Sequence, residues 1–192
     1  MRKNTKSYLR QIYQYDEMDK TYLIDVSLDN YKEIFNDWDA APIKKKAMNP
    51  ELETFLEDSS YDLPLKQKVK IVFAVPESIK DHQIEVQHID AFKNYYRALI
   101  HFLNREMNIN YRKMFIYIFL GFSLIVTSTL LSNVSTASLL LEILSQGVFV
   151  GGWVLLWESF SLFFFDMYDQ RDKKKRYTRF INSKIIYRYI KK

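Results

Sequence analysis

MFIYIFLGFSLIVTSTLL, the stretch Met114–Leu131, decides the fold of this chain. It contains 18 mostly apolar residues, and no charged side chain occurs between Met114 and Leu141. Because an α-helix rises 1.5 Å per residue, such a stretch reaches across roughly 27 Å. That length is close to the ~30 Å hydrocarbon core of a bilayer. The sequence therefore predicts a transmembrane helix here.

A second apolar stretch, Ser138–Phe165, follows the first and carries two acids, Glu142 and Glu158. Between these acids lie 15 uncharged residues, Ile143–Trp157. A chain of 192 residues could hardly bury two such helices in a soluble core. We therefore predict two spans that form a helical hairpin, joined by an uncharged turn at Ser132–Ala137.

Lysine and arginine residues flank the predicted hairpin on both sides, whereas its turn has none. Basic loops stay on the cytoplasmic side of a membrane. We therefore expect a multi-pass protein of the cell membrane with both termini cytoplasmic. The first residues, MRKNTKSYLRQ, have no apolar core behind them, which argues against a cleaved signal peptide.

The chain is predicted to divide into four parts. Residues 1–20 form an N-terminal arm, and residues 21–113 form a cytoplasmic α+β domain that ends in a long amphipathic helix. Residues 114–165 form the hairpin, and residues 166–192 form a basic cytoplasmic tail. The expected fold class is thus a membrane protein, an α-helical transmembrane hairpin of two spans with a small α+β cytoplasmic domain.

Helical periodicity marks three segments of the cytoplasmic part. One helix is predicted over Leu28–Trp38 with Ser27 as its cap, and a second opens at Pro50 and runs to about Asp58. A third begins at about Ser78 and, because no glycine or proline interrupts it, is expected to continue into the first span. Its apolar stripe forms either a coiled-coil seam with a second copy or a contact with the domain's own strand. The width of the stripe favours the second interpretation.

Three short stretches have the composition of strands. Lys68–Val75 is rich in β-branched residues and is followed by Pro76. Lys184–Ile190 and Tyr22–Val26 have a similar character. We expect the tail to add a strand beside Lys68–Val75, so that both ends of the chain build one small sheet.

Several kinds of site are excluded by composition. All four glycines lie inside the predicted spans, so the cytoplasmic part can contain neither a P-loop nor a GxGxxG motif. The chain has no cysteine, which excludes thiolate metal sites, cysteine nucleophiles and disulfides. The three histidines are spaced so that they do not share one helix face, and we expect them at the surface or at the boundary of the core. No catalytic residue, cofactor or metal site is predicted.

Polar and small residues in the second span are the candidate functional residues there. Glu142, Gln146 and Glu158 qualify because ionisable groups at membrane depth are usually functional. Glu158 is offset from Glu142 by roughly 160° around the helix, which argues against one acidic stripe. Glu158 lies either in the bilayer core or at its inner interface. Gly147 and Gly151 form a GxxxG pair for helix packing, against the first span in preference to a second copy.

Charge is divided unevenly along the chain. Ten acidic residues and four lysines occur between Asp25 and Asp62, whereas ten basic residues and one acid occur from Arg171 to Lys192. A polybasic segment beside a membrane gains on the order of 1 kcal/mol per basic residue from anionic lipid. Contact with the acidic segment is the alternative, and nucleic acid is not expected. The residues predicted to contact anionic lipid are Arg171, Lys173, Lys174, Lys175, Arg176 and Arg179.

The string IDVSLDNYKEIFNDWDAAPIKKKAMNPELETFLEDSSYDLPLKQKVKIVFAVP, with GGWVLLWE in the second span, resembles a group of uncharacterised bacterial membrane proteins. That group has an N-terminal cytoplasmic region and two transmembrane helices, and the likeness covers Ile24 to Ile190. Trp38, Asp39 and Pro42 carry it most specifically. The resemblance implies a bacterial cytoplasmic membrane and carries over no catalytic or binding residue.

Three functions are compatible with these features. The leading hypothesis is a membrane-anchored, non-enzymatic interaction or regulatory module with an unidentified protein partner. The alternative is an oligomeric membrane effector that forms a pore or leak, and the third is an enzyme acting on lipid or on membrane proteins. Besides membrane lipid, the expected partners are therefore another protein or further copies of this chain.

Overall fold

The computed structural model describes residues 8–134 and 139–191, which form two compact units. The sheet unit comprises the described residues up to His101 and those from Lys174 onward. The helical unit comprises Phe102–Lys173. Residues 1–7 of the predicted arm and residues 135–138, which include half of the predicted turn, lie outside the described ranges.

One four-stranded sheet forms the centre of the sheet unit, with its strands in the order β1-β2-β3-β4. The strands are β1 Tyr15–Asp16, β2 Thr21–Ser27, β3 Lys68–Pro76 and β4 Lys184–Ile190. β1 pairs antiparallel with β2, whereas β2, β3 and β4 are parallel to one another. The central strand thus has a partner from each end of the chain.

Four α-helices follow β1 along the chain. They are α1 Pro50–Asp62, α2 His82–Val134, α3 Leu139–Ser161 and α4 Met167–Ile181. A π-helical segment, Leu162–Asp166, separates α3 from α4. Three short 3-10 turns and a helical stretch at residues 8–12 complete the secondary structure; the turns are Tyr31–Ile34, Ile43–Lys45 and Glu77–Ile79.

The predicted helix over Leu28–Trp38 is wrong. Only the 3-10 turn Tyr31–Ile34 forms, and Asn30 instead of Ser27 caps it by accepting a hydrogen bond from the Lys32 amide at 3.1 Å. Polar side chains further along compete for the backbone. Asp39 accepts hydrogen bonds from the amides of Ala41 at 2.9 Å and Ala47 at 2.8 Å, and these bonds lower its pKa.

The helix predicted from Pro50 is present and longer than expected, since α1 reaches Asp62 instead of Asp58. Asn49 caps its start, because the Asn49 side-chain oxygen accepts from the Glu51 amide at 3.0 Å. Glu51 and Glu53 lie in its first turn, where negative charge suits the helix dipole.

Aromatic rings fill the space between the sheet and the helices of the sheet unit. Phe73 of β3 contacts Phe92 of α2, with ring centroids 6.4 Å apart. Tyr96 lies one turn further along α2, and the centre of its ring is 4.8 Å from the centre of the Phe180 ring of α4. All four side chains are almost completely buried. This part of the α2 stripe therefore packs on the chain's own strand, as the width of the stripe favoured.

The other face of the sheet carries paired charges. Lys70 is only 6% exposed, and its ammonium lies 2.6 Å from Asp16 and 2.7 Å from Asp19. The hydrogen bond from Lys70 lowers the pKa of Asp16, and Asp16 in turn raises the pKa of Lys70. The guanidinium of Arg188 in β4 lies 3.0 Å from a carboxylate oxygen of Asp25 in β2.

The helical unit contains two helices that are long and apolar enough to cross a bilayer. In the most apolar 18-residue window of each, only 17% and 11% of the residues are buried. The core helix of a soluble protein would be mostly buried, so the composition and exposure of both helices suit a lipid environment. Large apolar side chains cover the exposed surface of α3, among them Phe149, Trp153 and Trp157.

Two small-residue contacts hold α2 and α3 close together. A methyl group on Gly152 would lie 2.8 Å from the Gly121 carbonyl oxygen, so the backbones touch at this point. Ser128 and Ser145 form a second contact, since each hydroxyl donates to the other residue's carbonyl, at 2.8 and 3.0 Å. Small residues and hydroxyl groups are the usual means of helix packing in lipid.

We predict that Gly152→Ala destabilises the helical unit by about 1–3 kcal/mol, because overpacking against backbone atoms cannot be relieved by rotating a side chain. Gly147→Ala is the matched control, since a methyl group there meets nothing within 4 Å. Both variants gain the same helix propensity. Thermal unfolding of the full chain in detergent measures the difference, and equal melting temperatures would contradict the packing described.

Acid sensitivity is expected from Asp16. Its folded pKa lies below the unfolded value, so its contribution to stability is present above about pH 4 and is lost as pH falls through the folded pKa. Asp16→Asn should therefore lower the melting temperature at pH 7, and the difference from wild type should shrink below about pH 4. Exposed Asp37→Asn should change little at either pH, and a pH-independent Asp16→Asn effect would refute the interpretation.

Candidate functional site: a basic groove at the amino ends of the parallel strands

A groove of about 720 Å³ lies where the parallel strands begin. Thr21, Lys68 and Lys184, which open β2, β3 and β4, all line it. The loop before β3 and the end of α4 supply the remaining walls. We call this feature the basic groove, and its lining residues are Asp19, Thr21, Leu65, Lys66, Gln67, Lys68, Val69, Lys70, Lys175, Thr178, Arg179, Asn182, Ser183 and Lys184.

Six basic side chains and one acid line the basic groove, but two of the six charges are used within the protein. Lys70 is neutralised by its ion pairs with Asp16 and Asp19. Arg179 donates to the carbonyl oxygens of Ser60, Leu63 and Pro64 at 2.7 to 3.2 Å. These two residues therefore build the groove instead of binding a ligand in it.

The other four basic residues of the groove are lysines at its exposed surface. Lys66, Lys68, Lys175 and Lys184 are exposed, and no carboxylate of the described residues forms an ion pair with any of them. They come from three separate parts of the chain, so the fold brings like charges together. Such an arrangement is electrostatically unfavourable until an anion is bound.

A buried hydroxyl group lies beside these lysines. Thr21 is 7% exposed, and its Oγ1 has no hydrogen-bond partner within the described part of the chain. Buried polar atoms usually have a partner, so an unsatisfied hydroxyl in the lining of a cavity points to a ligand or an ordered water.

The arginines of the predicted lipid-contact set bond to the protein itself. Arg176 and Arg179 both donate to the Ser60 carbonyl near the end of α1, and the Arg176 guanidinium also lies 4.1 Å from the centre of the Tyr61 ring. Cations at a helix C-terminus satisfy its free carbonyl groups and its dipole. Arg171, in the helical unit, donates to the Tyr111 hydroxyl at 2.6 Å.

Of the predicted lysines, only Lys175 lines the basic groove. Lys173 and Lys174 are partly buried on α4, one in each unit. Contact of these residues with anionic lipid stays a prediction. The predicted contact of the tail with the acidic segment has a counterpart in the sheet unit, where Tyr177 donates to Glu57 at 2.6 Å and Arg188 pairs with Asp25.

Glu142, Gln146 and Glu158 all lie on the exposed surface of α3, so the structure does not bring them together inside one hairpin. Neither does the predicted pair of glycines mediate the contact between the helices. A methyl group on Gly147 would meet nothing within 4 Å and one on Gly151 would lie 3.9 Å from a Leu124 methyl group, whereas Gly121 and Gly152 make the close approach. Packing of Gly147 and Gly151 against a second copy stays a prediction.

A buried carboxylate marks the opposite edge of the sheet, where β3 and β4 end. Glu85 is 4% exposed and accepts hydrogen bonds from Tyr31 at 2.7 Å and Tyr189 at 2.9 Å. Burial and the hydrogen bond to Glu85 raise the pKa of Tyr31 to about 12. His88, expected at the surface or at the boundary of the core, is buried against Tyr31 and Phe35, and burial lowers its pKa.

Open α/β sheets usually bind ligands at the carboxyl ends of their strands. Here that edge is occupied by the chain's own tyrosines, among them Tyr187, whose ring packs on Tyr31 and Phe73. Within the described residues, no group of three or more histidine, aspartate or glutamate side chains is placed to hold a metal ion. The amino edge, with its basic groove, is therefore the better candidate for binding.

Most of the basic groove could not be recognised in the sequence. Lys66, Lys68 and Lys184 lie in or beside stretches that the sequence predicted as strands and not as a binding site. No sequence pattern marked Thr21 as a binding residue. The one available clue was the alternation of basic and apolar residues in KVKIVFAV, which places Lys68 and Lys70 on the same face of β3.

Comparison of the chain with protein-family models, curated proteins and solved structures finds no match.

Tyr31→Phe should destabilise the sheet unit by about 1.5–3 kcal/mol, because it removes a buried hydrogen bond to a charged group. Tyr8→Phe is the control, since Tyr8 is 61% exposed. Chemical denaturation of the full chain in detergent, followed by near-UV circular dichroism, measures both. Equal stability of the two variants would show that the Glu85 cluster contributes little.

Proposed function

We propose that this protein is a non-enzymatic interaction module, anchored in the bacterial cytoplasmic membrane by its helical unit, that binds an anionic partner through the basic groove. The observation that carries the proposal is the gathering in one cavity of four lysines that form no ion pair within the described residues. The leading hypothesis from the sequence named an unidentified protein partner, whereas the groove indicates the charge of the partner and not its chemical class.

Anchoring is supported by the exposure of apolar surface on α2 and α3. Aromatic and aliphatic side chains such as Phe119, Phe122 and Trp157 are more than 60% exposed. Monomeric soluble proteins rarely expose apolar patches of this size. A bilayer is the environment that would cover both helices along their length.

The distribution of basic residues supports a cytoplasmic position of both ends, and strand pairing supports a common side for them. Basic residues flank the apolar stretches, which is the pattern of cytoplasmic segments. In addition, β3 precedes the apolar helices and β4 follows them, yet the two strands are paired. Strands can pair only on the same side of a membrane, so an even number of crossings is required.

A second candidate function, an oligomeric effector that forms a pore, is favoured by one observation. Glu142, Gln146 and Glu158 are exposed on the outer surface of α3, where Gly147 also faces open space. Polar groups on a lipid-facing surface are costly, and association of several hairpins would cover them. This candidate predicts that Glu158→Gln changes the ion flux of cells that express the protein.

Binding through the groove can be tested with the full chain in nanodiscs of zwitterionic phosphatidylcholine. Lys68→Gln/Lys184→Gln removes two charges from the groove, and Lys44→Gln/Lys45→Gln removes two exposed charges outside it. On a heparin column, the groove variant should elute at clearly lower salt than the control variant, because groove charges converge on a single ligand. Elution of both variants at the same salt concentration would contradict the proposal.

A further inference from the structure

We infer that the basic groove is a binding site for a phosphate-bearing ligand. This inference rests on the proposed function and specifies the chemistry of the anionic partner. It uses the positions of the four unpaired lysines, the buried hydroxyl of Thr21 and the volume of the cavity.

The charge of the groove matches a group that concentrates negative charge. Lys66, Lys68, Lys175 and Lys184 line one cavity, and the single acid there, Asp19, is paired with Lys70. A phosphate monoester carries about 1.5 to 2 negative charges on a single group at pH 7. A carboxylate carries one, and the carboxylates of an acidic peptide are spread along its chain. Four lysines around one cavity therefore suit phosphate better.

Polar groups in the lining of the groove suit the same ligand. The oxygens of an ionised phosphate act mainly as hydrogen-bond acceptors, and lysine, although it acts as a point charge, is a usual partner for them. Thr21 contributes a hydroxyl whose oxygen has no partner in the described part of the chain. Gln67 and Asn182 add amide groups to the lining. The groove thus offers both charge and directional donors to phosphate oxygens.

The size of the cavity also fits. Its volume of about 720 Å³ lies within the range of roughly 300–1,000 Å³ typical of small-molecule and cofactor sites. A folded protein partner would need a wider surface than this cavity provides. A lipid headgroup and a soluble phosphate ester share the relevant chemistry, and both would place a phosphate between the amino ends of the strands.

The direct experiment is isothermal titration calorimetry of the full chain in phosphatidylcholine nanodiscs, with sodium pyrophosphate as the probe. Wild type and Lys44→Gln/Lys45→Gln should bind with the same affinity. Lys68→Gln/Lys184→Gln should bind about tenfold more weakly or worse, because charge-assisted hydrogen bonds to phosphate are lost. Thr21→Val, which keeps the side-chain shape, should also weaken binding, whereas Thr54→Val on the surface of α1 should not.

Three outcomes would overturn the inference. Pyrophosphate that binds equally well to the groove variant and to its control would place phosphate binding elsewhere. If polyglutamate binds through the groove while pyrophosphate does not bind, the proposed function stands and the phosphate ligand is wrong. If binding of pyrophosphate and binding of heparin are both independent of the groove lysines, the proposed function and the phosphate inference fail together.

A further arm identifies the source of the phosphate. Nanodiscs that contain one third phosphatidylglycerol are compared with the zwitterionic ones. Loss of pyrophosphate binding in the anionic nanodiscs of wild type would support a lipid headgroup as the ligand, since the lipid would already occupy the groove. Unchanged binding would support a soluble phosphate compound.

Discussion

Parallel pairing of β3 with β4 is the constraint on which the rest of this structure depends. Parallel neighbours cannot be joined by a tight turn and need a crossover connection. Between β3 and β4 that connection consists of residues 77–183, and it contains both long apolar helices. The two long apolar helices are thus an insertion within a β-α-β unit. The segment that leaves the sheet after β3 must therefore return to the same sheet.

This pairing also explains how the tail is used. Once β4 is fixed beside β3, α4 lies on the sheet with Phe180 against Tyr96. Its arginines then reach the carbonyl groups at the end of α1, where Arg179 alone serves three residues. Arg176 and Arg179, which the sequence predicted to contact lipid, thus have a structural role in the sheet unit. The same alignment brings the first residues of three strands together and so creates the basic groove.

Features set by local sequence were the ones that could be predicted. The apolar stretches gave the two long helices because length and composition suffice for that purpose. Asn49 before Pro50 gave the start of α1, and β-branched runs gave the three parallel strands. The helix expected over Leu28–Trp38 failed because Asn30 and Asp39 bond to nearby amides, which periodicity does not reveal.

Features that join distant parts of the chain could not be predicted. The glycine contact involves Gly121 and Gly152 on different helices, whereas the sequence drew attention to a pair on one helix. Likewise, Lys66 and Lys184 are separated by more than a hundred residues, and only the strand register brings them to one cavity. Such contacts have no local signature in a single sequence.

The most direct test of this account is the membrane side of residues before and after the helical unit. The chain contains no cysteine, so Lys44→Cys and Lys191→Cys each introduce a single reactive thiol. Both residues are exposed and can be labelled with a membrane-impermeant maleimide. The account predicts that both thiols react in inverted membrane vesicles and that neither reacts in intact spheroplasts. Labelling from opposite sides would contradict it, because β3 and β4 could then not belong to one sheet.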